Sequence, residues 1–307
     1  MKLTKKTLNK KIYNYNDPAM KINLVKLYVL LKLILFPVTS YSNELSNNLK
    51  SKFTGFFNQS LNEMFPYAEF GLTSGTGNEV TGSIIAINPL SDESDTSNTT
   101  FFQGSLFLSD DSRETINLGI ANRKLVNDDN LLIGTNFFYD HELDYNHRRA
   151  GIGLEAISSV GSFTYNEYFR LSSWKSGVDN IQEKALNGRD MEIGSPLPFL
   201  PSTNLYYRTF EWEGASGAAD QEGDDFSLEA RFKRFFVEIG KRSFDGTTED
   251  EEFIRLTYIC CNNNNEEFVV SDKAFNLNSV ENKRFAKVRR ENLIVEQKEM
   301  DLTVIGF

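Results

Sequence analysis

From Leu131 to Asp140 the side chains sort onto two faces. Leu131, Ile133, Thr135, Phe137 and Tyr139 lie on one, and Gly134, Asn136 and Asp140 on the other. After a short loop the rhythm resumes, with Ala150, Ile152, Leu154 and Ala156 opposing Arg149, Gly151, Gly153 and Glu155. A period of two describes a β-strand with oil on one surface and water on the other. Most later segments repeat it, which predicts twelve strands over 65–73, 80–88, 101–108, 115–124, 131–140, 147–157, 162–172, 188–194, 203–211, 225–232, 234–242 and 252–260. A soluble sandwich would turn its polar face outward. Segments of about ten residues repeated this often are the mark of a transmembrane antiparallel β-barrel with a wet lumen, and an even count returns both ends to one side of the membrane. The stretch from Asn88 to Thr100 strains the scheme, because a connection on that side is ordinarily short; either a strand is misplaced or this turn is long.

Charged residues inside the strands support the sidedness. Arg or Lys facing lipid near the midplane costs about 2–4 kcal/mol. Arg123, Arg149, Arg170, Arg208, Arg231 and Arg255 each have an apolar neighbour one residue away that can take the lipid face, as do Glu69, Glu155, Glu229 and Glu238. Together with Asn136, these residues are expected to line the lumen, where opposite charges can pair in water more cheaply than in a dry core. Glu167 is the exception, falling on the apolar face of its strand, and is expected near an interface. Phe101, Phe102, Tyr139, Tyr168, Trp174, Tyr206, Tyr207 and Trp212 sit near strand ends, where they fit either interfacial girdles or ordinary packing.

Composition narrows the function. A mean hydropathy of −0.40 excludes a helical membrane bundle but suits a barrel, whose strands are only half apolar. A formal charge of −10 argues against nucleic acid, which requires clustered Lys and Arg. The acidic groups gather at 92–95, 220–225 and 245–252, which read as solvated loops. Cys260 and Cys261 are adjacent, so no structural disulfide is expected. His141 and His147 are the only histidines and no CxxC spacing accompanies them, so no zinc or other metal site is expected. Ser109, His141 and Asp144 do not assemble into a catalytic arrangement, because both histidines belong to one acidic loop read as solvated. No enzyme and no cofactor are expected.

Lysines at 2, 5, 6, 10, 11 and 21 precede an apolar run from Leu24 to Phe36, followed by Ser40-Tyr41-Ser42. That layout is a secretory signal, expected to be cleaved after residue 42, with Met20 as a second candidate start. The expected organisation is thus a signal over 1–42, a short periplasmic segment over 43–63, a barrel over 64–260 and a linker over 261–307 that includes a short helix inside the lumen.

Several motifs carry a family resemblance. They are Phe102-Gln103, Asn117-Leu118-Gly119 with Arg123, Gly134 to Asp140, His147 to Glu155, Asn166-Glu167-Tyr168, Leu171 to Lys175, Asn187 to Asp190, Leu197 to Pro201 and Val288 to Glu296. In this order they resemble the β-domain of the inverse autotransporters, the group that includes intimin and invasin. The resemblance implies a twelve-stranded outer-membrane barrel whose C-terminal linker passes through the lumen and leads a passenger to the cell surface. It places Val288, Arg289, Arg290 and Glu291 in the pore, with the last three facing lumen charges. Two departures stand out. Arg189 occupies a position where the family tends to have an aromatic, and the 16 residues after Glu291 are too few for a passenger domain.

The expected function is a translocator or membrane anchor related to adhesins, with its passenger absent or truncated; the alternative is a small outer-membrane porin. Expected partners are outer-membrane lipid, the barrel-assembly machinery and periplasmic chaperones. The surface loops 141–146 and 174–186 are the candidates to touch a ligand of unknown identity on a host or neighbouring cell.

Overall fold

A computed structural model of the chain describes residues 67–76, 80–109, 113–246, 248–260 and 268–299. The expected signal over 1–42, the segment over 43–63, Cys261 and the stretch 300–307 lie outside the described residues.

Twelve strands close into one antiparallel barrel. They are β1 (Tyr67–Gly75), β2 (Val80–Pro89), β3 (Asn98–Ser109), β4 (Glu114–Val126), β5 (Leu131–Glu142), β6 (Arg148–Ser158), β7 (Ser162–Arg170), β10 (Gly188–Leu197), β11 (Leu200–Trp212), β12 (Gln221–Phe232), β13 (Phe235–Phe244) and β14 (Glu251–Cys260). Each pairs with the next, and β14 returns to β1 with Ala68 opposite Cys260 and Gly75 opposite Phe253. Three short strands, β8 (Lys175–Ser176), β9 (Gln182–Ala185) and β15 (Glu296–Lys298), form a separate small sheet. Every strand read from the alternation falls on an observed barrel strand, with ends differing by a few residues. Among the described residues no helix is long and apolar enough to cross a membrane, which says nothing against crossing by strands.

The alternation becomes two surfaces. Leu72, Ile120, Ile133, Phe137, Ile152, Leu154, Ile193, Ile254 and Leu256 point outward and are about half exposed, although they sit mid-strand. Between them, Arg123, Asp140, Arg149, Glu155 and Asp190 point inward and are buried. An apolar exterior around a charged interior suits a barrel bathed in lipid.

The two mouths differ. At the end that holds the start of β1 and the end of β14, the turns are tight, at 127–130, 159–161, 198–199 and 233–234. Asn127, Asp128 and Asp129 take positive φ there, a conformation that short polar side chains tolerate. The 90–97 connection is a long turn rather than a lost strand. Leu90 N–H donates to Thr100 O at 2.8 Å, and Asp92 and Asp95 each accept a backbone N–H two residues on, at 3.0 and 3.1 Å. The opposite mouth carries longer loops, chiefly 171–187 and 213–220, which is the usual extracellular side of such barrels.

The short helix expected in the lumen is not what forms. Among the described residues the linker holds one 3₁₀ turn at Glu281–Lys283, followed by a turn at 284–285, and from there no helix or strand forms until β15. A non-helical backbone leaves N–H and C=O groups free to meet the polar wall, whereas a helix would consume those groups internally and leave the wall's own donors unmet.

Candidate functional site

The linker crosses the barrel from one mouth to the other. It first skirts the tight-turn rim: Ser271 N–H donates to Phe199 O at 2.8 Å, Ser159 Oγ to Asn276 O at 2.9 Å, and Val280 N–H to Asp129 O at 2.7 Å. The 3₁₀ turn then redirects the chain into the lumen. At the far mouth β15 pairs with β9, Glu296 standing opposite Ala185.

Inside, the wall satisfies the linker backbone, as irregular chain at membrane depth requires. Arg123 Nη1 donates to the carbonyls of Lys283, Arg284 and Ala286 at 3.1, 3.0 and 2.6 Å, while its other nitrogens hold Glu155 at 2.6 and 2.9 Å. Val288 N–H donates to Gln103 Oε1 at 2.8 Å, and Asn166 Nδ2 to Arg289 O at 3.1 Å. Glu291 N–H donates to the Tyr168 hydroxyl at 2.7 Å, and its carbonyl accepts from Arg149 Nη2 at 2.8 Å. Asn117 Nδ2 donates to Asn292 O at 2.9 Å.

The linker side chains find opposite charge at each level. Lys287 meets Glu69 at 2.7 Å. Arg289 pairs with Glu192, lies 3.8 Å from both Glu229 and Glu238, and stacks over the Tyr206 ring at 3.6 Å. Arg290 forks onto Asp140 at 2.8 and 2.7 Å. Glu291 faces Arg208 at 3.2 Å and Arg242 at 3.5 Å. Val288 is the apolar anchor, buried among Ile87, Phe101, Ala121 and Phe138.

This threaded geometry coincides with a match of residues 38–292 to the inverse autotransporter β-domain. The chain belongs to that family. As an inverse autotransporter β-domain it resides in the outer membrane. It is 30% identical over 139 residues to a putative attaching and effacing protein homolog of Escherichia coli, covering 43% of this chain and 46% of that protein. To invasin of Yersinia enterocolitica it is 31% identical over 107 residues, 34% of this chain and 13% of invasin. The chain thus spans about half of the first relative and a small part of the second. A solved structure from a study of in-meso crystallization of membrane proteins shares the fold, with TM-score 0.64 and 20% identity over 76% of this chain and all of that one.

Within this β-domain the residues read from sequence as lumen-lining fall into two groups. Arg123, Arg149, Arg208, Glu229 and Glu238 come within reach of the linker, Glu155 orients Arg123, and Asn136 faces inward beside Gly153. Arg255 instead ties wall to wall, reaching Glu238 at 2.7 Å and Thr73 at 3.0 Å. Arg170 and Arg231 lie at strand ends, Arg231 donating to Lys233 O at 3.3 Å and packing on Phe236. Gln103, Asn117, Asp140, Tyr168, Glu192 and Arg242 also serve the linker and are absent from the lumen set read from the sequence. Their inward parity was available, but alternation alone does not say which inward residues the linker will meet. Asp225, placed with the acidic loops, is in fact in β12 between Arg208 and Arg242.

Three further expectations change. Phe101, Tyr168, Tyr206 and Trp212, candidates for lipid girdles, point inward and receive arginines: Arg123 over Phe101, Arg149 over Tyr168 and Trp212, Arg289 over Tyr206. Their delocalised faces attract a guanidinium electrostatically. Loop 174–186 is not free to greet a ligand along its whole length, because β9 within it clasps β15. His147, read as solvated, is completely buried beneath that clasp. Glu167 lies on the outer face toward the long-loop mouth, where the Tyr165 hydroxyl donates to it and Arg189 stands opposite in register.

The linker does not fill the lumen. A cavity of about 260 Å³ remains beside it, bounded by Thr73, Ser83, Phe107, Asp225, Phe253 and Arg255.

Proposed function

We propose that this β-domain anchors a linker in the outer membrane and delivers the chain beyond it to the cell surface. Support comes from one observation above the rest: residues 285–293 cross the lumen with both their backbone and their charged side chains matched by the wall. The mechanism is passive. Ladder hydrogen bonds close the barrel, the outward apolar band sets its depth, and the inner charges hold the linker in register. On this reading Val288, Arg289, Arg290 and Glu291 form the pore linker, with Arg123, Arg149, Arg208, Glu229 and Glu238 as its counterpart on the wall. The remaining lumen residues Asn136, Glu155, Arg170, Arg231 and Arg255 brace that wall.

Assembly through the barrel-assembly machinery and periplasmic chaperones belongs to the proposal, as does a surface ligand for whatever the linker displays. So do the leader over 1–42 and the division at residue 260. No catalytic step has a place in it.

Planar-bilayer recording separates anchor from porin. The full chain is expected to conduct poorly, and a chain lacking residues 272–307, shown by heat-modifiable gel mobility to hold its barrel, is expected to give larger and steadier current. Equal conductance in both would favour the porin.

A further inference from the structure

At the long-loop mouth three carboxylates, Glu142 and Glu183 buried and Glu296 half-buried, converge on the exiting linker. Glu142 ends β5, Glu183 belongs to β9 and Glu296 to β15. Arg113 contacts all three, at 3.0 Å to Glu142, 2.7 Å to Glu183 and in a close pair with Glu296. Lys298 reaches Glu183 only at 3.9 Å and is largely exposed. The half-buried Arg113 guanidinium thus faces three carboxylates.

Into this cluster projects His147, 0% exposed, with Nε2 3.7 Å from Glu296 Oε1 and 3.9 Å from Glu183 Oε2. Among the described residues neither ring nitrogen has a hydrogen-bond partner, and neither do Glu296 Oε1 and Glu183 Oε1. Buried polar atoms are nearly always partnered, so four orphans in one place require a reason. The spacing supplies it. A separation of 3.7 Å is too long for a hydrogen bond, but ligand atoms held about 2.0–2.2 Å from one tetrahedral ion stand roughly 3.3–3.6 Å apart. One ligand atom from each of Glu142, His147 and Glu296 lies within 4.8 Å of the others.

We propose that Glu142, His147 and Glu296 bind a divalent transition-metal ion of the zinc class, with Glu183 completing or bracing the set. An imidazole among carboxylates selects zinc-like ions over calcium or magnesium, which prefer all-oxygen shells. The consequence is mechanical. A metal there would staple β15 to the end of β5 and the loop that follows, locking the linker where it leaves the barrel. This inference stands apart from whether the linker carries a passenger.

The test uses the full chain, purified without a histidine tag and stripped with EDTA. Zinc added back is expected to bind with one ion per chain by elemental analysis and to raise the temperature of heat modification, while calcium does neither. His147→Gln and Glu296→Gln are each expected to weaken zinc binding at least tenfold, whereas His141→Gln, at a half-buried β5 histidine that contacts Asn146 instead, leaves it unchanged. Glu296→Gln lies outside the barrel strands, so it tests the site even if His147→Gln impairs folding. Absence of saturable binding, or binding unaltered by both ligand substitutions, overturns the proposal; a proton shared between Glu142 and Glu296 would then account for the cluster.

Discussion

Arg290 and Asp140 meet fork to fork at 2.8 and 2.7 Å inside the lumen, and Asp140 also accepts from Arg149 at 2.9 Å and from Asn117 at 2.8 Å. The two partners are therefore unequal. Arg290→Ala leaves Asp140 with a cation and an amide, whereas Asp140→Ala leaves two buried guanidinium groups facing no carboxylate at that level. Stranding a buried charge costs about 3–5 kcal/mol. Asp140→Ala is expected to lower barrel stability by that order, and Arg290→Ala by clearly less, in urea titrations followed by gel mobility.

Val288 offers a way to release the linker without touching the barrel. Its side chain is buried among apolar wall residues, so Val288→Asp would place a carboxylate there with no partner, at a cost of several kcal/mol, on the order of an unpaired polar burial or more. The expected outcome is increased single-channel conductance with normal heat-modifiable mobility. Conductance equal to the parent chain would show that the linker tolerates the charge in place.

Small residues on the inner wall make room for the pairs. A Cβ at Gly134 would sit 2.3 Å from Glu155 Oε1 and 2.6 Å from its Cγ, and one at Gly151 would approach Arg290 Nη2 to 3.2 Å. Gly134→Ala is expected to push Glu155 off Arg123 and so loosen the carbonyls that Arg123 holds. Faster proteolysis of the 281–287 stretch in the folded barrel would register this; Gly151→Ala is expected to do less.

The outer face makes the opposite prediction. Ile152 is half exposed mid-strand, so Ile152→Arg should cost about 2–4 kcal/mol in a bilayer. Arg189 also points outward but near the rim, paired with exposed Glu211. Arg189→Phe, which restores the aromatic the family tends to carry, is expected to leave stability unchanged. Unfolding midpoints in lipid vesicles compare the two.

The strands and their sidedness were legible because a period of two is a local signal: Ile133 beside Gly134, or Arg149 beside Ala150, already fixes which surface each joins. What no local pattern carried was the path of the linker. Lys287 to Glu291 has no periodicity, and its partners lie up to 218 positions away in the case of Glu69 and Lys287. The same distance concealed His147, whose cover comes from Glu183 and Glu296, and the aromatic rings of Tyr168 and Tyr206, which only a closed barrel turns toward arginine.

Cysteine labelling on intact cells tests the threading most directly. In a chain with Cys260→Ser and Cys261→Ser, a cysteine placed at Glu299, just past β15, should react with a membrane-impermeant maleimide, while one at Asn276, on the tight-turn rim, should not until the outer membrane is opened. Protection at 299 together with labelling at 276 would contradict a linker that enters from the periplasm and leaves at the cell surface.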